Sequence, residues 1–117
     1  LRRLLEAVRR SAPRARVVLA GIPALRGALP QIEPLILIAD SYARILRPIS
    51  RAEASAAGVA YADLAAEVPP RIRGRRDVLS VDRFHPSVVG YRAWADVIHE
   101  ALREGAHDGR HAEPMAG

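Results

Sequence analysis

Arg16-Val17-Val18-Leu19-Ala20-Gly21-Ile22-Pro23 is a short, continuous apolar run, rich in β-branched residues and closed by glycine and proline. A strand with one wet face would alternate apolar and polar residues. An unbroken run is the mark of a strand covered on both faces, as in a parallel sheet. A second run of this kind, Val59-Ala60-Tyr61-Ala62-Asp63-Leu64, follows later in the chain. Between the two, Leu35, Ile38, Tyr42, Ile45, Leu46 and Ile49 keep a helical period, and Pro34 suits the first turn of that helix. Parallel strands need a crossover, so strand, helix and strand make a right-handed βαβ unit.

The reading extends outward from this unit. Upstream, Leu1, Leu4, Leu5 and Val8 fall at i, i+3, i+4 and i+7 of an amphipathic helix that carries its arginines outside and ends at Pro13. Within the crossover, Pro48 is expected to break or kink the helix. Ser50-x-x-Glu53 then reads as a capping box that restarts it, and Gly58 as its stop. Residues 24 to 31 read as a loop, and residues 65 to 81 as a longer one rich in proline and arginine. A final helix starts near Ser87, with Val88, Tyr91, Trp94 or Ala95, Ile98 and Leu102 on one face; the residues after Gly105, Ala106 to Gly117, are expected to be a disordered tail. The order is helix-strand-helix-strand-helix, with two parallel strands.

Two strands are too few for a complete parallel sheet, which needs several strands and both faces covered. The expected class is therefore α/β, with residues 1–104 forming the C-terminal half of a doubly wound domain. Leu1 is not a methionine and falls inside a helical pattern, so the natural N-terminus is expected upstream, together with the N-terminal half of the domain.

Composition narrows the function. The chain has 117 residues, half of them hydrophobic, enough for a core but without an apolar run long enough to span a membrane. All 18 basic residues are arginine, and the formal charge is +5. Arg2, Arg3, Arg9 and Arg10 share a helix with Glu6; Arg71, Arg73, Arg75 and Arg76 crowd a loop beside Asp77. With few aromatics for base stacking, this reads as a solvated surface rather than a nucleic-acid site. No cysteine occurs, which excludes disulfides, thiol nucleophiles and thiolate metal sites. His107 and His111 are four apart but have no third ligand nearby, so no metal site is expected, and nothing calls for a cofactor.

Chemistry in parallel α/β sheets gathers outside the carboxyl ends of the strands. The loops at 23–31 and 65–86 both leave that edge. The second ends in Asp82-Arg83-Phe84-His85-Pro86-Ser87-Val88-Val89. A carboxylate three residues before an imidazole, at the mouth of a helix, is the layout of a general base with its orienting acid. His85 and Asp82 are the candidate catalytic residues. Asp77 is a rival carboxylate, but beside Arg76 it reads as a surface ion-pair partner. Ser87 reads as a helix N-cap. Ser41, Ser50, Ser55 and Ser80 lack any nucleophile-elbow context. Asp63 at the strand end reads as structural, Tyr91 and Trp94 as core or pocket wall. Pro23, Ala24 and Leu25 are candidates for lining a substrate pocket.

Asp82-x-x-His85-Pro86-Ser87-x-x-Gly90-Tyr91-x-x-Trp94-Ala95 resembles the last block of the SGNH, or GDSL-type, esterases and lipases. Pro13-x-Ala15-x-Val17-Val18-Leu19-x-Gly21-Ile22-Pro23 is similar to their fourth-strand region, and Val59-x-Tyr61-x-Asp63-Leu64 to their last strand. The resemblance covers about residues 1 to 104. It implies a flavodoxin-like three-layer α/β/α sandwich and hydrolysis of a small-molecule, lipid or carbohydrate ester by a Ser-Asp-His triad. His85 would be the general base and Asp82 its orienter. The family's Gly-Asp-Ser nucleophile motif does not occur here, nor does any asparagine for the oxyanion hole. The expectation is thus the later half of an ester hydrolase, inactive by itself. The alternative is a non-catalytic interaction module, or a half-domain completed by another chain.

Overall fold

The computed structural model describes residues 1–24, 33–83 and 85–108. Its elements are α1 (Arg2–Ser11), β1 (Val18–Ala20), α2 (Glu33–Ala56), β2 (Ala60–Ala62), α3 (Leu64–Arg71) and α4 (Val88–Asp108). The strands pair in parallel, with Val18 opposite Ala60, Leu19 opposite Tyr61 and Ala20 opposite Ala62. The Gly21 N–H carries the ladder one step further, donating to the Ala62 carbonyl at 2.9 Å. The class is α/β, as the two apolar runs imply. Both strands are shorter than those runs, and β1 stays only half-buried because its second edge has no partner among the described residues.

Alternate strand residues face opposite layers. On one side Ala62 and Val18 pack with Leu64, Val68 and Ile72 of the α3 region and with Ala93, Trp94, Val97, Ile98 and Ala101 of α4. On the other, Val59, Tyr61, Val17 and Leu19 pack with Leu5 of α1 and with Ala54 and Ala57 at the end of α2. Helices thus lie on both faces of the sheet, the partial α/β/α arrangement. The close fit of α4 shows at Gly105, where an added Cβ would come within 3.1 Å of the Ala60 Cβ.

Several expectations are corrected. Pro48 does not interrupt α2, which runs unbroken through it. A proline removes one N–H from the helix ladder, and the turns on either side hold the axis here. Ser50 and Glu53 are therefore interior residues, not a capping box. Glu53 instead reaches α1, where Oε2 accepts from the Arg2 backbone N–H at 3.1 Å and Oε1 from Arg2 Nη2 at 2.7 Å. It supplies the N-terminal cap and the negative charge that α1 lacks in its own sequence. Arg9 answers in the other direction, donating from Nη1 to the Gly58 carbonyl at the end of α2. Each helix thus neutralises an end of the other.

The stop at Gly58 is as read. Gly58 has φ +63°, its N–H donates to Ser55, and the Val59 N–H donates back to Ala54 at 2.8 Å. That pair of bonds is a Schellman motif, whose left-handed residue favours glycine.

The expected loop at 65 to 81 begins as a helix, α3, with Pro69 and Pro70 in its last turn. Asp63 starts it by accepting the Ala66 N–H at 3.3 Å. In α4 the inward stripe is Ala93, Trp94, Val97, Ile98 and Ala101, while Val88 and Tyr91 are exposed. In α1 only Leu5 is buried; Leu1, Leu4 and Val8 are exposed. Helix α4 runs three residues past Gly105 to Asp108, and the rest of the expected tail lies outside the described residues, as does His111. Among the described residues no helix is long and apolar enough to cross a membrane.

Asp63 is the one buried charged residue among those described, its side chain 3% exposed. Arg47 donates Nε to both carboxylate oxygens, at 2.9 and 2.8 Å, and Nη2 to Oδ2 at 2.6 Å. Arg51 Nη2 adds a fourth bond at 2.5 Å. Burial alone would push this carboxyl up. The Arg47 hydrogen bonds, the Ala66 N–H and the two guanidinium charges outweigh it, and the group titrates below its ordinary 3.8. A depressed folded-state pKa stabilises where the carboxylate is ionised, so the contribution is complete above about pH 5 and is lost as the pH falls through the folded-state value. Asp63→Asn should cost about 2–4 kcal/mol near neutrality, from lost charge-assisted bonds and a weakened cap. The gap to wild type should close in acid, read as Tm against pH; a gap independent of pH would refute the account.

Candidate active site

The segment 77–90 folds back on itself as a tight, cross-braced loop. Leu79 and Pro86 form an antiparallel bridge. The Ser80 N–H donates to the His85 carbonyl at 2.8 Å, and the Ser87 N–H to the Val78 carbonyl at 2.9 Å. At the tip, the Arg83 N–H donates to the Ser80 carbonyl at 2.9 Å, and Arg83 takes φ 57°, the left-handed region. A non-glycine residue there costs on the order of 1 kcal/mol, and the braces on both sides hold it.

The tight turn brings Asp82 and His85 together. Asp82 Oδ1 accepts the His85 backbone N–H at 3.0 Å and the Ser80 hydroxyl at 2.6 Å. Asp82 Oδ2 lies 2.6 Å from His85 Nδ1. A carboxylate cannot donate, so Nδ1 carries the proton of this bond. In the neutral ring Nε2 is then the acceptor nitrogen. The pair is accessible, with side-chain exposures of 62% for His85 and 48% for Asp82. It can take a proton at Nε2 and hold the resulting imidazolium against a carboxylate.

Ser87 fastens the loop to α4. Its hydroxyl donates to the Asp77 carbonyl at 2.5 Å and accepts the Gly90 N–H at 3.3 Å, the N-cap role read from sequence. Asp77 is an ion-pair partner, but of Arg75 at 2.7 Å and not of Arg76; the Arg75 hydrogen bond holds its carboxyl below the ordinary range. Tyr91 and Trp94 meet edge-to-face with ring centroids 5.6 Å apart, Trp94 against the core and Tyr91 half out in solvent. Pro23 and Ala24 follow β1 at the carboxyl edge of the sheet and are half-buried, while Leu25 and Phe84 lie outside the described residues.

Sequence reading missed the contributions of Ser80 and Gly90. Ser80 stands two residues before Asp82, a spacing that could have suggested an oriented carboxylate. Gly90 is explained by contact. A Cβ there would fall 2.4 Å from the Val78 carbonyl oxygen and 2.9 Å from the Pro86 Cβ.

A carboxylate–imidazole pair on a loop after the last described strand of a parallel α/β sheet has the components of a general base and its orienting acid. A family model described as the GDSL-like Lipase/Acylhydrolase family matches residues 1–93. The chain belongs to that family, and in general terms its chemistry is that of an esterase- or lipase-type hydrolase. No curated protein and no solved structure matches it.

Because the atoms facing Gly90 are backbone and ring rather than the end of a flexible side chain, Gly90→Ala must move the loop. The expected cost is about 1–3 kcal/mol, with changed ¹⁵N shifts for both ring nitrogens of His85. An unchanged Tm with unchanged His85 shifts would show that this contact does not set the loop.

Proposed function

We propose that His85 and Asp82 are the general base and orienting acid of a Ser-Asp-His triad that hydrolyses an acyl ester. The observation that carries the reading is the 2.6 Å bond from His85 Nδ1 to Asp82, which sets the ring so that Nε2 is its proton-accepting nitrogen. Nε2 takes the serine hydroxyl proton as the oxygen attacks the ester carbonyl, and returns it to the leaving alcohol as the tetrahedral intermediate collapses. Asp82 keeps the ring in the productive tautomer and stabilises the imidazolium. Pro23 and Ala24, just beyond β1 at the same sheet edge, and Leu25, next in the chain, would line the acyl or alcohol pocket.

The serine comes from outside these 117 residues, which contain no Gly-Asp-Ser motif, and so does the oxyanion asparagine, since the chain has none. Residues 1–104 would then be the later half of the domain, and the earlier half would extend the sheet from the free edge of β1. The edge of β1 that has no partner among the described residues also favours a second reading, a half-domain completed by another chain.

The 117-residue chain should not turn over p-nitrophenyl esters, because losing the nucleophile and an oxyanion donor removes several orders of magnitude. A protein extended upstream to include a Gly-Asp-Ser segment should be active. His85→Ala should lower its kcat by about 10³-fold or more, and Asp82→Asn by about 10²- to 10⁴-fold. An active extended protein indifferent to His85→Ala would sink the assignment. Activity gained only by adding a separate chain would select the second reading.

A further inference from the structure

We propose that the outer face of α2 is a self-docking surface, on which α2 of a second copy of this chain packs as a short two-helix coiled coil. Ile38, Tyr42, Ile45 and Ile49 are each more than half exposed. Their spacing of 4, 3 and 4 is that of alternating d and a positions in a heptad. At 100° per residue the seam lies roughly 140° around the helix from Ala43, Arg47 and Ala54, the stripe that is buried or tied to β2. The seam thus points away from Asp63, which Arg47 and Arg51 on the opposite side of the helix engage.

Two further observations select a second copy as the occupant. First, Ile38, Ser41, Tyr42 and Ile45, with Leu37 beside them, line a surface depression. Positions i, i+3, i+4 and i+7 are the four corners of a coiled-coil hole, which receives one a or d side chain of a facing helix. The Ser41 hydroxyl is turned back onto the Leu37 carbonyl at 2.7 Å, so it leaves no unmet polar group in that hole. Second, the positions flanking the seam include Ser41, Leu46 and Pro48, none charged, so two identical helices meet without like-charge repulsion. Arg44, Arg47 and Arg51 all fall on the far side, where Arg47 and Arg51 are engaged with Asp63. A lipid surface would be met by flanking cations, and here they face the other way.

Six large apolar side chains are exposed between Leu37 and Ile49, the surface two copies would bring to a small specific interface of about 1,000 Å². The helix is already formed by its own fold, so association does not bear the nucleation cost that makes short isolated coiled coils unstable.

Sedimentation equilibrium of the 117-residue chain should give twice the monomer mass at micromolar concentration. Ile45→Glu and Tyr42→Glu should each weaken the dimer at least tenfold while helical circular dichroism is kept. The chain has no cysteine, so introduced thiols report contacts without background. Ile45→Cys should crosslink to itself if the helices are parallel; a mixture of Ile45→Cys and Tyr42→Cys should crosslink if they are antiparallel. A monomeric chain overturns the proposal. So does a dimer that survives both glutamates, or one that crosslinks through Val81→Cys and not through the seam.

Discussion

The buried carboxylate of Asp63 is the constraint on which the rest of the structure depends. It follows directly on β2 and bonds to both helices beside it, to Arg47 and Arg51 of α2 and to Ala66 of α3. Taking a carboxylate out of water costs several kcal/mol, and an ion pair often does no more than recover that. Here two arginines and a backbone N–H converge on two oxygens, each a charge-assisted bond with fixed direction. The result is positional: a sheet with three residues per strand has few ladder bonds with which to hold its crossover helix, and the Asp63 cluster supplies the missing register between α2 and β2. Arg51 also lies 5.5 Å from the centre of the Tyr61 ring, so one side chain serves both a charge and an aromatic face.

From Asp63 the constraint runs to the catalytic candidates. Asp63 caps α3, and α3 buries Leu64 and Val68 against Ala93 and Val97 of α4. Those two helices are the posts between which the 72–87 segment is strung. The Ser87–Val78 and Ser87–Asp77 bonds and the close seat of Gly90 on Val78 then tie the posts together at the base of the loop. The same packing that fills half of the core thus aims the imidazole.

What could be read from sequence follows from the range of the interactions involved. The two apolar runs, the crossover and the Asp82–His85 pair were legible because each depends on neighbours a few residues apart. The Schellman stop at Gly58 and the Ser87 cap were legible for the same reason. Helix α3 was not, because Pro69 and Pro70 outweigh a cap signal that needs Asp63 to be read as an N-cap rather than as a strand end. Pro48 misled in the opposite direction: a break was expected where the rest of the helix tolerates one missing bond. The roles of Arg2, Glu53 and Arg9 depend on contacts some 50 residues apart and leave no local trace. In α1 the apolar stripe read from sequence is buried only at Leu5, and in α2 the helical period did not say which face turns inward. Helical period identifies an apolar stripe but not what lies against it, and here much of the stripe faces outward.

The bonds that join Asp82 to His85 lie within their own loop. One carboxylate oxygen closes the turn by accepting the backbone N–H three residues on, and the other meets the ring of the same residue. The backbone bond and the side-chain bond share one carboxylate, so neither can form without nearly fixing the other. Arg83 must adopt φ 57° for the turn to be this tight, and that strain is offset by four short-range hydrogen bonds around it. In the triad proposed above, a base and orienter built this way are preorganised before the nucleophile arrives. In that proposed triad, chemistry divided between two halves of a domain requires the halves to be brought into register, but not a rearrangement of the base.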